Sequence, residues 1–212
     1  MVELKYLDIN NNKIKSIDAI RNFTKLNYLN IYKNEIASIS VVKNFIFLNE
    51  YDFRYNQINF FDAVQELIKN KSILDLRFNN IGWFNNSVLC SPRIKFIYLM
   101  NNRLRIIKSY SFINVPNTIF INLDDNIIQQ IEPFGLSELN KLEFLSLRNN
   151  LIKFLYRDLF SGFNLIENLI FINNNKVSTI EFNAFNNASG LSMDYLSLVN
   201  LKEFSSDYFC KF

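Results

Sequence analysis

The chain has 212 residues, nearly half of them apolar with 22 Phe, and a formal net charge of +3. That content excludes disorder and is enough for a sizeable core. The small, dispersed charge does not point to nucleic acid or an anionic membrane as an obligate partner. His is absent, which removes the commonest general base and zinc ligand, so no metal and no cofactor is expected. Cys90 and Cys210 form no metal motif and are expected as two unpaired thiols. No run of about 18 apolar residues marks a membrane span. The opening MVELKYLDIN, with Glu3, Lys5 and Asp8, does not read as a signal peptide.

One frame, Leu-x-x-Leu-x-Leu-x-x-Asn-x-Ile, recurs along the chain. It is carried first by Leu4, Leu7, Ile9, Asn12 and Ile14, then by Leu26, Leu29, Ile31, Asn34 and Ile36. The third copy is Leu48, Tyr51, Phe53, Asn56 and Ile58; the fourth, Leu74, Leu76, Asn79 and Ile81, has Lys71 at its first position. Ile94, Ile97, Leu99, Asn102 and Leu104 follow, then Ile121, Leu123, Asn126 and Ile128 with Thr118 leading. The seventh is Leu142, Leu145, Leu147, Asn150 and Ile152. The eighth has two registers. Ile170, Ile172, Asn175 and Val177 leaves Glu167 at the front; a one-residue shift uses Ile166, Leu169, Phe171 and Asn174 but puts Lys176 in the core. A degenerate ninth copy reads Met193, Leu196 and Leu198, with Leu201 in place of the Asn. Such self-similarity predicts a stacked solenoid.

Within Leu-x-Leu the period is two, so both leucines face one way and the x residue the other. Stacked as parallel strands, the copies bury one row and expose the next. After the strand the chain turns inward, leaving backbone groups facing the core. An amide carries both donors and an acceptor, so Asn can satisfy groups in its own turn and the next one. Asn12, Asn34, Asn56, Asn79, Asn102, Asn126, Asn150 and Asn175 are therefore expected as a structural ladder rather than a site.

These copies resemble the leucine-rich repeat family across residues 4 to 201. The resemblance implies an α/β-type solenoid, a curved horseshoe with a parallel β-sheet on its concave face and short 3-10, irregular or helical convex segments. The whole of 1–212 is then one domain of about nine repeats. Its repeats run 22–23 residues in 1–102 and 24–25 in 103–200, and 201–212 forms a partial C-terminal cap. The longer copies place Phe112, Phe160 and Phe185 ten residues after the Asn, which reads as convex-side core. The short copies resemble those of intracellular regulators, and the longer ones resemble the "typical" repeats of extracellular receptors and secreted immune proteins. The two halves disagree about compartment: extracellular is favoured, cytoplasmic is the alternative. Four glycosylation sequons, at Asn22, Asn70, Asn85 and Asn187, do not decide it.

Function is sought on the concave row. Its first column includes Tyr28, Phe96, Phe120 and Phe144, and the next column holds Asp52, Asp75 and Tyr98. Two further columns add Tyr32, Arg54, Arg77 and Arg148, then Tyr55 and Phe78. A one-sided sheet should be polar here. Phe96, Phe120 and Phe144 instead fall on successive strands, predicting a strip roughly 10 Å long at about 4.8 Å per strand. Aromatics flanked by Arg make binding hot spots, although cross-strand rings also stabilise a sheet by themselves. The Asp and Arg residues serve either to orient a partner or to bridge neighbouring strands. The chain is therefore expected to be non-catalytic and to bind another protein, identity unstated. Its ends suggest an end-to-end homodimer or further repeats of a parent chain. The alternatives are an intracellular regulatory subunit of the phosphatase-regulator kind and a structural spacer.

Overall fold

Each copy of the frame folds as the period of two requires: a three-residue strand, a tight turn at the Asn, and a return segment. The computed structural model describes residues 3–59, 64–83, 89–157, 159–160, 169–181 and 184. Phe185, the ninth copy, the segment 201–212 and Cys210 lie outside them, as do the sequons at Asn85 and Asn187. In chain order the strands are β1 (Tyr6–Asp8), β2 (Tyr28–Asn30), β3 (Glu50–Asp52), β4 (Ile73–Asp75) and β5 (Phe96–Tyr98). Next come β6 (Ile106–Ile107), β7 (Phe120–Asn122), β8 (Gln130–Ile131) and β9 (Phe144–Ser146). β10 (Phe154–Leu155), β11 (Leu169–Phe171) and β12 (Thr179–Ile180) complete the series.

All pairings are parallel, and the frame sets their register. Leu7 pairs with Leu29 and Leu29 with Tyr51. Leu74, Ile97, Ile121, Leu145 and Ile170 then align in one row across β4, β5, β7, β9 and β11. This row is the core: Leu29, Leu74, Ile97 and Ile121 are fully buried. Each such side chain contributes about 1.5–3 kcal/mol on leaving water. The result is a curved parallel solenoid of the horseshoe kind.

The return segments differ between the halves. Short 3-10 turns at Asp18–Ile20 and Ser40–Asn44 and one short helix, α1 (Val64–Ile68), serve the 22–23-residue repeats. The longer repeats spend their extra residues on second, two-residue strands, pairing β6 with β8 and β10 with β12. They also bury Phe112 and Phe160 completely. In the eighth repeat Ile170, Ile172, Asn175 and Val177 are buried, so the chain takes the first of its two registers.

The expected continuous sheet is interrupted. β1, β2 and β3 form one sheet and β4, β5, β7, β9 and β11 another. The boundary falls where the frame changes. Lys71 replaces the apolar first residue, and its ammonium, which the core cannot hold, donates to the Asn49 carbonyl instead. Tyr51 replaces the central Leu, and its Oη donates to the Ile73 carbonyl at 3.3 Å. Two side chains thus take carbonyls that a strand ladder would have used. Beyond the strands the turns remain joined, with Tyr55 N–H to the Arg77 carbonyl at 3.2 Å and Asn56 N–H to Phe78 at 3.1 Å.

Candidate functional site

The turn that ends each strand places every side chain discussed here. Asn56 shows how it is built. Its Nδ2 donates to the Ile31 carbonyl at 2.9 Å and to the Phe53 carbonyl at 3.4 Å, and its Oδ1 accepts from Ile36 N–H at 3.0 Å. Ile31 and Ile36 belong to the repeat before. Asn34, Asn79, Asn102, Asn126, Asn150 and Asn175 repeat the pattern, all buried. The cross-repeat bonds therefore run to the preceding turn, not the next one as the sequence reading had it. Asn12 is exposed, and among the described residues it bonds its own turn, to Ile9 and Asn10.

The second concave column has a structural job that sequence reasoning missed. Asp8, Asn30, Asp52, Asp75 and Asn122 each accept the N–H of the residue two positions on, at 2.9–3.3 Å. These are Asx turns closing β1, β2, β3, β4 and β7, whereas β5 ends in Tyr98. The signal was a column of short acidic or amide residues two before an N–H that must leave the strand. Ser146 departs from it: Asp124 of the previous repeat accepts from both Ser146 Oγ and Arg148 N–H.

The residue before each ladder Asn is left-handed. Asn11, Lys33, Tyr55, Phe78, Asn101, Asp125, Asn149 and Asn174 all have φ between 53 and 59°. Asn and Asp fit there; Lys, Tyr and Phe pay a steric cost of about 1–2 kcal/mol. Tyr55 and Phe78 thus sit on the turn rather than the strand, and their rings stack at 4.0 Å. Tyr32 meets Tyr55 edge-on at 5.3 Å, with the Arg54 guanidinium 5.4 Å from the Tyr32 ring.

Arg54 and Arg77 are engaged inside their own turns. Arg54 holds Asp52 through Nε at 2.9 Å and a second bond from Nη2, while Asp75 lies only at 4.0 Å. Arg77 holds Asp75 in the same bidentate way, at 2.9 and 2.7 Å. Hydrogen bonding to Asp52 and to Asp75 raises the guanidinium pKa values above their usual range. Bridging between neighbouring strands is thus the minor contact. Arg148 Nε donates to Asn173 at 3.0 Å.

Along the second sheet the aromatics form one connected series. Arg77 lies 5.2 Å from the Tyr98 ring, Tyr98 lies 5.0 Å from Phe120, and Phe120 stacks on Phe144 at 4.4 Å. Phe96 and Phe120 are 6.3 Å apart and tilted, so the strip is a stack at one end only. Strand register brings Phe96, Phe120 and Phe144 side by side, and all three are half-buried. Tyr28 sits apart, stacked at 4.1 Å on Tyr6 in the first sheet.

Among the described residues no cluster of three or more acidic or Cys side chains could hold a metal ion. No helix there is long and apolar enough to cross a membrane.

A parallel solenoid with a buried amide in each turn after the first defines a repeat protein of the leucine-rich class. Family models match as "Leucine Rich repeats (2 copies)" over residues 2–44 and "Leucine rich repeat" over residues 92–152. The chain belongs to the leucine-rich repeat family. No curated protein sequence matches it. Among solved structures it is similar to TLR13 in a complex with ssRNA13, with a TM-score of 0.69 and 20% identity. That match covers 82% of this chain and 25% of the other. It is also similar to an internalin, inlF, of Listeria monocytogenes, with a TM-score of 0.65 and 17% identity over 89% of this chain and 59% of that one. Internalin C2 of the same organism gives 0.64 and 24%, over 88% and 77%. The chain thus spans 25% of the first of these proteins and 59% of the second. At these identities the likeness is one of fold.

Proposed function

We propose that the chain is a non-catalytic protein-binding module whose concave face receives a partner protein. The carrying observation is the connected series Arg77, Tyr98, Phe120 and Phe144, half-exposed on a face that water would otherwise bathe. Flat rings offer large contact area at low entropic cost, and their clustering is the usual composition of a binding hot spot. Phe96 and Arg148 border this series, and Tyr28, Tyr32, Arg54, Tyr55 and Phe78 extend it across the first sheet. Because Arg54 and Arg77 are already clamped by carboxylates, they present fixed planar edges to a partner rather than mobile charges. The longer repeats, which resemble those of extracellular receptors, support recognition outside the cell in an immune setting.

The test is a paired capture experiment with the wild-type chain and a Phe120→Asp, Phe144→Asp variant whose fold is checked by circular dichroism. Extracellular fluid and cytosolic extract are probed side by side. A partner held only by the wild type supports the reading, and the fraction supplying it reports the compartment. Equal capture by a folded variant makes the strip sheet packing and the chain a spacer.

A further inference from the structure

The interruption between β3 and β4 leaves more than a gap in a drawing of the sheet. In parallel strands, alternate residues turn their N–H and C=O toward the same neighbour. Glu50 and Asp52 use theirs on β2, and Leu74 uses its own on β5. The N–H and C=O of Tyr51, Ile73 and Asp75 therefore face across the break, and among the described residues no backbone hydrogen bond joins the two strands. The space is a wedge of about 500 Å³, closed at the turns by the Tyr55–Arg77 and Asn56–Phe78 bonds and open at Asn49 and Lys71.

Its chemistry selects an occupant. Carboxylates of Glu50, Asp52 and Asp75 line it, which disfavours an anion, and polar backbone groups disfavour an apolar ligand. Asp52 and Asp75 are neutralised by Arg54 and Arg77, and the exposed Glu50 feels the Coulombic pull of the Lys71 ammonium, which lines the same space. What remains is an alternation of backbone donors and acceptors with no excess charge. That is the complement of an extended peptide main chain.

We propose that the wedge between β3 and β4 is a β-augmentation slot for an extended peptide segment of a partner protein. The peptide enters from the open end, displaces Lys71 Nζ from the Asn49 carbonyl and Tyr51 Oη from the Ile73 carbonyl, and pairs with Tyr51, Ile73 and Asp75. Three-residue edges match roughly 10 Å of extended chain. Lys71 and Tyr51 act as latches that satisfy the two carbonyls while the slot is empty. This site shares Tyr28 and Arg54 with the first-sheet extension of the concave face but none of Tyr98, Phe120 and Phe144, and it does not rest on the reading given above.

The probe is a terminally blocked, fluorescein-labelled hexapeptide, Leu-Asn-Lys-Leu-Asn-Ile, which follows the strand frame. Binding is read by anisotropy for the wild type, for a Phe120→Asp variant, and for a Tyr51→Leu, Lys71→Leu variant that restores the frame. Amide exchange is read at Tyr51 and Asp75. The expected result is saturable binding to the first two proteins. Closure of the sheet should slow those amides and weaken binding by about tenfold or more, and backbone N-methylation of the peptide should weaken it about as much. No saturable binding to the wild type, or equal binding of the N-methylated peptide, overturns the proposal. So does undiminished binding to the restored variant once its amides are slow. The N-methyl comparison decides even if the restored variant fails to fold, and loss of binding in Phe120→Asp alone would assign the peptide to the strip instead.

Discussion

Tyr55 and Phe78 stack ring on ring at 4.0 Å, with 9° between their planes, while both backbones hold the left-handed conformation. Neither residue type favours that conformation, so the stack must offset part of its cost. Lys33 occupies the same position in the second repeat at φ 54°.

Lys33→Asn is therefore expected to raise stability by about 1 kcal/mol, the strain being relieved without loss of packing. Phe78→Asn should gain less, because it forfeits a ring contact of about 0.5–1.5 kcal/mol. Urea denaturation of both variants measures the difference. If the two gain equally, the stack contributes nothing to the fold.

The ladder makes a graded expectation. Asn126 is buried and serves Leu99, Leu123 and Leu104, so Asn126→Ala leaves several buried backbone groups without partners. A loss of about 2–4 kcal/mol is expected. Asn12 is exposed, and Asn12→Ala should cost less than about 1 kcal/mol because water replaces the amide. Similar costs at the two positions, by thermal or urea unfolding, would contradict the cross-repeat role.

Tyr51 gives a pH signature. Burial, then the nearby Asp75 charge, raises its phenol pKa far above the usual 10.0. A folded pKa raised above the unfolded one gives stability that is complete below pH 10 and is lost as pH rises further, because the unfolded chain releases the proton first. The stability difference between wild type and Tyr51→Phe should thus be flat below that point and shift against the wild type above it. A difference unchanged up to pH 11.5 (roughly the limit before general base unfolding) would remove Tyr51 as a partly buried phenol held neutral by the fold.

Gly135 tests close packing in the sixth repeat. A Cβ there would lie 2.9 Å from the Glu132 carbonyl oxygen and 3.0 Å from Ile131 Cγ2. Gly135→Ala should cost about 1–3 kcal/mol. A neutral result by thermal unfolding would mean that this turn yields freely.

Much of the fold was legible because the frame repeats at a structural period. Period two fixed which residues line the core, and the Asn marked each turn. The halves also announced their different return segments through Phe112 and Phe160. What escaped was set by groups that the frame leaves unspecified. Lys71 and Tyr51 were visible as departures, but a substituted side chain does not say whether its neighbours bend or separate. Asp52 and Asp75 read as surface charge because the N–H each one caps is not a sequence feature. The left-handed residue was hidden for the opposite reason: Tyr55 and Phe78 occupy it against their own preference.

Site-specific photo-cross-linking tests the concave-face claim most directly. Benzoylphenylalanine is placed at Phe120 on the aromatic strip and, separately, at Tyr110, an exposed ring stacked on Phe134 away from it. A partner captured by the wild-type chain is then irradiated in complex with each. The account expects cross-linking from position 120 and none from position 110. Cross-linking from 110 with none from 120 would move the interface off the concave face.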